Sequence, residues 1–171
     1  MKKPLKIFLS LTVLILLSFL ITKIIFRINQ KNEVAKNIKI IPEFSFQDIN
    51  GVLFKNRNLK ENAATIFLYF NTECEFCNSE TEIIQKNIEK FENIKLIFIS
   101  IEQPEKIKNF AQHYQLLKYD NIHFLCDKQA SFGTKFDVTA LPTILIYNSQ
   151  KQLIEKIKGQ VKIDYLLQKI K

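Results

Sequence analysis

Apolar positions divide the chain into one uninterrupted block and a series of short periodic ones. From Ile7 to Thr22 no residue is charged, and if Lys23 extends its ammonium outward the apolar stretch reaches Phe26. Those 20 residues, at about 1.5 Å of rise each in a helix, span a hydrocarbon layer of about 30 Å. The basic start Met1–Lys6 also suits a cleavable signal peptide. However, the run ends Thr22, Lys23, Ile24, Ile25, Phe26 with no small-x-small site, and no cysteine precedes Cys74 to accept a lipid. The pattern therefore predicts an uncleaved signal anchor over residues 1–27, with residues 7–26 in the membrane. Lys2, Lys3 and Lys6 on one flank and Lys23, Arg27, Lys31 and Lys36 on the other leave the orientation undecided by charge alone. Residues 28–39 are mostly polar and lack a clean apolar period, which predicts a linker before a domain over 40–171.

Within that domain the periods alternate between strand and helix. Phe44, Phe46 and Asp48 alternate with polar neighbours, Asn50-Gly51 supplies a tight turn, and Val52–Phe54 returns, which predicts an N-terminal hairpin. Thr65–Phe70 is a continuous β-branched and aromatic run, as a central strand covered on both faces requires. Ile84, Ile88 and Phe91 then recur at helical spacing, Lys95–Ile101 is a second buried strand, and Ile107, Phe110, Ala111, Tyr114 and Leu117 mark a helix opened by Pro104. Ile122–Leu125, a brief helix through Phe132 and Phe136, strands Thr143–Tyr147 and Gln152–Ile157, and a last helix carrying Ile163, Leu166, Leu167 and Ile170 complete the order. These elements form an α/β sandwich with a mixed central sheet flanked by helices.

Composition changes this picture in one respect. The 171 residues carry 25 Lys plus Arg against 17 Asp plus Glu, a net charge of +8. Five of those positive charges, Lys2, Lys3, Lys6, Lys23 and Arg27, lie in the first 27 residues, which hold no acid. The rest is near neutral, and Arg27 and Arg57 are the only arginines, so a phosphate-reading surface and a nucleic-acid partner are excluded.

The candidate chemistry is Cys74-Glu75-Phe76-Cys77. Two cysteines three apart, after a buried strand and before an amphipathic helix, put the first sulfur at a helix N-terminus, where free N–H groups and the macrodipole favour thiolate. Cys77, one turn on, can attack a mixed disulfide formed at Cys74, so the pair cycles between dithiol and disulfide. Pro142 directly precedes a buried strand, a place where a cis Leu141–Pro142 bond fits. Glu73 and Glu75 flank Cys74, and negative charge there raises a thiol pKa against the helix-end effect, which predicts an electron donor rather than a strong oxidant.

At these residues the chain resembles the membrane-anchored thioredoxin-like proteins of the TlpA and ResA type, over roughly residues 40–171. The resemblance implies a thioredoxin fold without a cofactor, and thiol–disulfide exchange with Cys74 as nucleophile and Cys77 as resolving thiol. It also implies backbone contacts between Leu141, Pro142, Thr143 and a partner chain, with Phe76 at the same surface. Members resembling ResA carry Cys-Glu-Pro-Cys and a Glu three residues on, places that Glu75 and Glu80 occupy here, so Glu73, Glu75 and Glu80 are the expected redox-tuning residues. The partners it implies are protein thiols or disulfides, among them apocytochrome c, and an electron donor in the membrane. A bacterial inner-membrane anchor with the domain on the extracytoplasmic, periplasmic side follows, since disulfides persist there. This chain departs from the pattern at Glu73, usually Trp, at Phe76, usually Pro, and at Leu68, where thioredoxins bury an acid.

Other readings of the same residues are an inert structural disulfide, which would close too short a loop to remove much chain entropy, and zinc held with His123 and Cys126. On a strand, His-x-x-Cys points its two side chains to opposite faces, so no metal site is expected, and Cys126 reads as a buried core thiol. A peroxiredoxin-like peroxidase would need Thr three residues before its cysteine, where Asn71 stands. A non-catalytic thioredoxin-fold adaptor would need neither sulfur.

Overall fold

The computed structural model describes residues 2–59 and 61–170, so the outermost residues of the expected anchor and domain, Met1 and Lys171, lie outside the described residues. The described chain divides into two compact units, up to Asn37 and from Ile38 onward. The first is one helix, α1 (Lys2–Asn37). Its apolar side chains from Ile7 to Ile28 are exposed, and it is the one helix among the described residues long and apolar enough to cross a membrane, its most apolar 18 residues having a mean hydropathy of 2.4. At 36 residues it is about 54 Å long. Residues 28–37, expected as a linker, therefore continue the helix. Gln30, Lys31, Glu33, Ala35 and Lys36 are good helix formers with no Pro or Gly among them, and an exposed helix needs no apolar face.

The second unit is a seven-stranded sheet of strands β1 (Ser45–Asp48), β2 (Leu53–Lys55), β3 (Ala64–Tyr69), β4 (Ile94–Ser100), β5 (Ile122–Cys126), β6 (Thr143–Tyr147) and β7 (Leu153–Lys158), in the order β2-β1-β5-β4-β3-β6-β7. β3, β4 and β5 are parallel, while the β1–β2 hairpin and the β6–β7 pair run antiparallel at either edge. This is the mixed sheet of a thioredoxin fold. The hairpin turns at Gly51, whose φ of +81° suits glycine, and Asp48 accepts the N–H groups of Asn50 and Val52 across it.

Each face of the sheet is covered. On one, Ile66, Leu68 and Phe70 pack with residues of α2 (Glu75–Lys86), α3 (Pro104–His113) and α5 (Ile163–Gln168), through Ile84, Ile107, Phe110 and Leu166. On the other, Phe67 meets Phe44, Phe132, Phe136 and Tyr147, two of them from α4 (Ser131–Lys135) and its end. Covering both faces explains why β3 reads as an unbroken apolar run. Asp127, buried at the end of β5, anchors α4 by accepting the N–H groups of Ser131 and Phe132 and the Ser131 hydroxyl.

Two helices differ from their expected extents. α2 stops at Lys86, and Ile88–Phe91 form a separate 3-10 turn. α3 ends at His113, and Gln115 takes a positive φ of 53°. That break buries Leu116 and leaves Leu117 exposed, so Leu117 is not on the core face that its spacing implied.

Candidate functional site

The parallel strands end at one edge of the sheet, and the cysteines stand there. β3 finishes at Tyr69, and after Asn71–Glu73 the chain enters α2 with Cys74 as its N-terminal cap residue. This short loop is held by hydrogen bonds that its own polar residues supply. Asn71 accepts the Glu73 N–H through its side chain at 2.8 Å, and its carbonyl accepts the Cys74 N–H at 3.2 Å. Asn78 donates from its amide to the carbonyls of Thr72 and Cys74, both at 3.0 Å, and accepts the Tyr114 hydroxyl at 3.0 Å. Thr72 gives both its N–H and its hydroxyl to Glu102, at 2.7 and 2.8 Å.

The two sulfurs differ in setting. Cys74 is half-buried and both thiols are free. Its Sγ lies 3.9 Å from the Leu141 carbonyl oxygen, and the Leu141–Pro142 peptide is cis. Cys77 is fully buried. Burial pushes its thiol up, a hydrogen bond with Cys74 and the charges of Cys74 and Glu102 add to this, and a backbone hydrogen bond from Asn71 works against it. The half-buried sulfur can reach a partner, and the buried one cannot. That asymmetry suits a nucleophile followed by a resolving thiol.

The remaining expected residues fall into three groups. Phe76 is 61% exposed between the two cysteines, Leu141 is half-buried, and Thr143 is buried with its hydroxyl on the Ala140 carbonyl at 2.6 Å. Glu73 and Glu75 are both exposed, but Glu73 also lies 2.5 Å from the Lys106 ammonium, so the flanking acids are not an equal pair. Glu80 is fully buried; its Oε2 accepts the Val161 N–H at 2.9 Å, and Oε1 has no hydrogen-bond partner among the described residues. Burial pushes its carboxyl above the ordinary value, and the Val161 bond offsets this only in part. Glu80 thus ties α2 to the segment between β7 and α5.

Elsewhere, Cys126 is buried at the end of β5. His123 packs on the Phe54 ring and has its Nε2 2.8 Å from the Lys95 ammonium. No cluster of three potential metal ligands occurs among the described residues. Glu102, Lys106, Asn78 and Tyr114 belong to the site and were not expected from the sequence. The available signal was position: Glu102 is the second residue past β4, at the carboxyl end of a parallel strand beside β3, where α/β sheets place their functional groups.

No curated protein matches the chain. Among solved structures it is similar to a secreted Mycobacterium tuberculosis disulfide oxidoreductase described as homologous to Escherichia coli DsbE, at 16% identity, covering 74% of this chain and 92% of that one with a TM-score of 0.63. It is also similar to a Chlorobium tepidum protein assigned as the thiol:disulfide interchange protein DsbE (12% identity, 77% and 92% covered, TM-score 0.65). A third, the Mycobacterium tuberculosis peroxidoxin BcpB, has 16% identity, 76% and 92% covered, and a TM-score of 0.64. At these identities the likeness carries the fold alone. Residues 39–156, most of the folded unit, match the AhpC/TSA family. With a free thiol pair at the head of α2 this is a thiol–disulfide oxidoreductase in the general sense, and the chain belongs to the AhpC/TSA family.

Proposed function

We propose that the protein is a membrane-tethered, extracytoplasmic reductant of protein disulfides, with Cys74 as nucleophile and Cys77 as resolving thiol. The observation that carries this reading is the pairing of a half-buried Cys74, its sulfur against the Leu141 carbonyl, with a fully buried Cys77 one helical turn away. The Cys74 thiolate attacks one sulfur of a partner disulfide. A Cys74–partner S–S bond forms, and the other partner sulfur leaves as a thiolate. Cys77 then passes its proton to the departing partner thiolate and attacks the Cys74 sulfur. The Cys74–Cys77 disulfide forms, the second partner thiolate leaves, and two electrons have passed to the partner. Phe76 and Leu141 are the surface residues that meet the partner chain, with the buried Pro142 and Thr143 holding the Leu141 backbone in place behind them. A donor in the membrane returns the two electrons, and apocytochrome c cysteines are among the substrates that the TlpA and ResA resemblance suggests.

The charges near the sulfurs favour a donor. Glu73 and Glu75 flank Cys74 and the Glu102 charge raises the Cys77 thiol, so the acids beside the motif work against the strongly stabilised thiolate of an oxidant. A peroxidase gains no support at this site, because the Thr72 hydroxyl is committed to Glu102. Helix α1 supplies the tether, and the persistence of disulfides outside the cytoplasm supplies the reason for placing the domain there.

The test is trapping. Cys77→Ala, lacking the resolving thiol, should accumulate mixed disulfides through Cys74 on non-reducing gels, and the Cys74→Ala/Cys77→Ala double variant should not. Recovery of the same adducts from both would remove the nucleophile assignment.

A further inference from the structure

Lys106, in the first turn of α3, places its ammonium between carboxylates from two other segments: 2.5 Å from Glu73 Oε1, in the residue before Cys74, and 2.8 Å from Glu102 Oε1, in the turn after β4. Glu102 is the hub of this arrangement. Its side chain is 9% exposed and also accepts the N–H and hydroxyl of Thr72 and, at 3.1 Å, the Ser100 hydroxyl. One cation therefore joins α3 to the loop that presents the nucleophile.

We propose that Lys106 is a positioning residue for the dithiol, which neutralises Glu73 and Glu102 together and so fixes the Asn71–Cys74 loop and screens the reacting sulfurs from two negative charges. The proposal rests on the reading of Cys74 as the nucleophile. An ion pair as exposed as Lys106–Glu73 adds little to stability. Its consequence here comes from location. Burial works against the Glu102 charge, yet hydrogen bonds from Lys106, Thr72 and Ser100 outweigh it and hold the carboxyl below its ordinary value. The same charge faces Cys77. Glu73 and Glu75 flank Cys74 in the chain, Glu102 from the turn after β4 acts on Cys77, and Lys106 from α3 reaches both Glu73 and Glu102, while Leu141–Thr143 brings no charge. Without Lys106 the Glu73 and Glu102 carboxylates lose their shared counter-charge beside the dithiol, which disfavours a further negative charge on the reacting sulfurs.

The experiment measures iodoacetamide alkylation of the reduced full-length chain in detergent from pH 5 to 10, with peptide mapping to separate Cys74 from Cys77 and Cys126. Lys106→Met should slow Cys74 alkylation at pH 7 about two- to fivefold, the effect of one unscreened charge near the protein surface, and move the midpoint to higher pH. Lys106→Arg should restore the wild-type profile. Lys108→Met, which removes an exposed charge from the same helix outside the network, should leave it in place. Glu73→Gln, which keeps the Lys106–Glu102 pair, should shift the midpoint to lower pH even if Lys106→Met fails to fold. A purely structural role would lower the melting temperature of Lys106→Met without moving the profile, and that result, or a Lys106→Arg profile as displaced as that of Lys106→Met, overturns the inference. If Cys74 reacts no faster than Cys77 in the wild type, the reading of the site falls and this inference with it. A fast Cys74 whose profile ignores Lys106 overturns this inference alone.

Discussion

Glu80→Gln isolates the acid buried beneath the active-site helix. The Glu80 carboxyl is fully buried with one hydrogen bond, from the Val161 N–H, and burial pushes it above its ordinary value of 4.5. The folded state thus holds this proton more tightly than the unfolded chain does. The stability of the neutral acid is complete below the unfolded value and is lost as pH rises through the raised folded value. Glutamine keeps the shape and an oxygen for Val161, and it never ionises. The stability of Glu80→Gln relative to wild type should therefore rise from pH 4 to pH 8, on top of a pH-independent offset from the amide N–H groups placed where Oε1 has no partner. The ceiling on this rise is the cost of burying a carboxylate with one of its two oxygens unpaired, about 1–3 kcal/mol. For a domain of this size that is roughly 3–10 °C in melting temperature. Thermal melts of the full-length chain in detergent, followed by circular dichroism at pH 4, 6 and 8, read it directly. A difference between variant and wild type that is the same at every pH, or that moves against the variant toward pH 8, refutes the reasoning.

Three further outcomes follow from the same geometry. Asn78→Ala removes the amide that holds the Thr72 and Cys74 carbonyls and should cost about 1–2 kcal/mol in denaturant unfolding while slowing the reduction of insulin disulfides; unchanged reduction kinetics would show that the loop needs no such support. Asp127→Ala leaves the Ser131 and Phe132 N–H groups at the head of α4 without their acceptor and should lower unfolding free energy by about 2–3 kcal/mol, an effect that Asp127→Asn should reduce. An alkaline phosphatase fusion after Lys171 should be active, and protease added to spheroplasts should digest the domain; protection would place the domain on the other side of the membrane.

The sequence made legible those features that depend on local pattern. The apolar run of β3 and the helical spacing of Ile107, Phe110 and Ala111 mark elements whose burial the structure shows, and the Cys-x-x-Cys motif stands, as its flanking periods imply, between β3 and α2. What pattern could not show is pairing across the sheet. Glu73 and Glu75 look equivalent as neighbours of Cys74, yet Lys106, 33 residues beyond Glu73, forms an ion pair with Glu73. Glu102 carries no signal in its own segment, and its contact with Thr72 comes from β4 lying beside β3. Residues 28–37 continue α1 because an exposed helix leaves no apolar period to detect.

The central claim is that Cys74 and Cys77 form a reversible couple poised to donate electrons, and equilibration of the full-length chain against a glutathione series tests it most directly. The account predicts one two-electron transition that disappears in Cys74→Ser and in Cys77→Ser, with a potential nearer the thioredoxin value of about −270 mV than the strong-oxidant value of about −120 mV. A potential at the oxidant end, or a transition that survives either substitution, would contradict it.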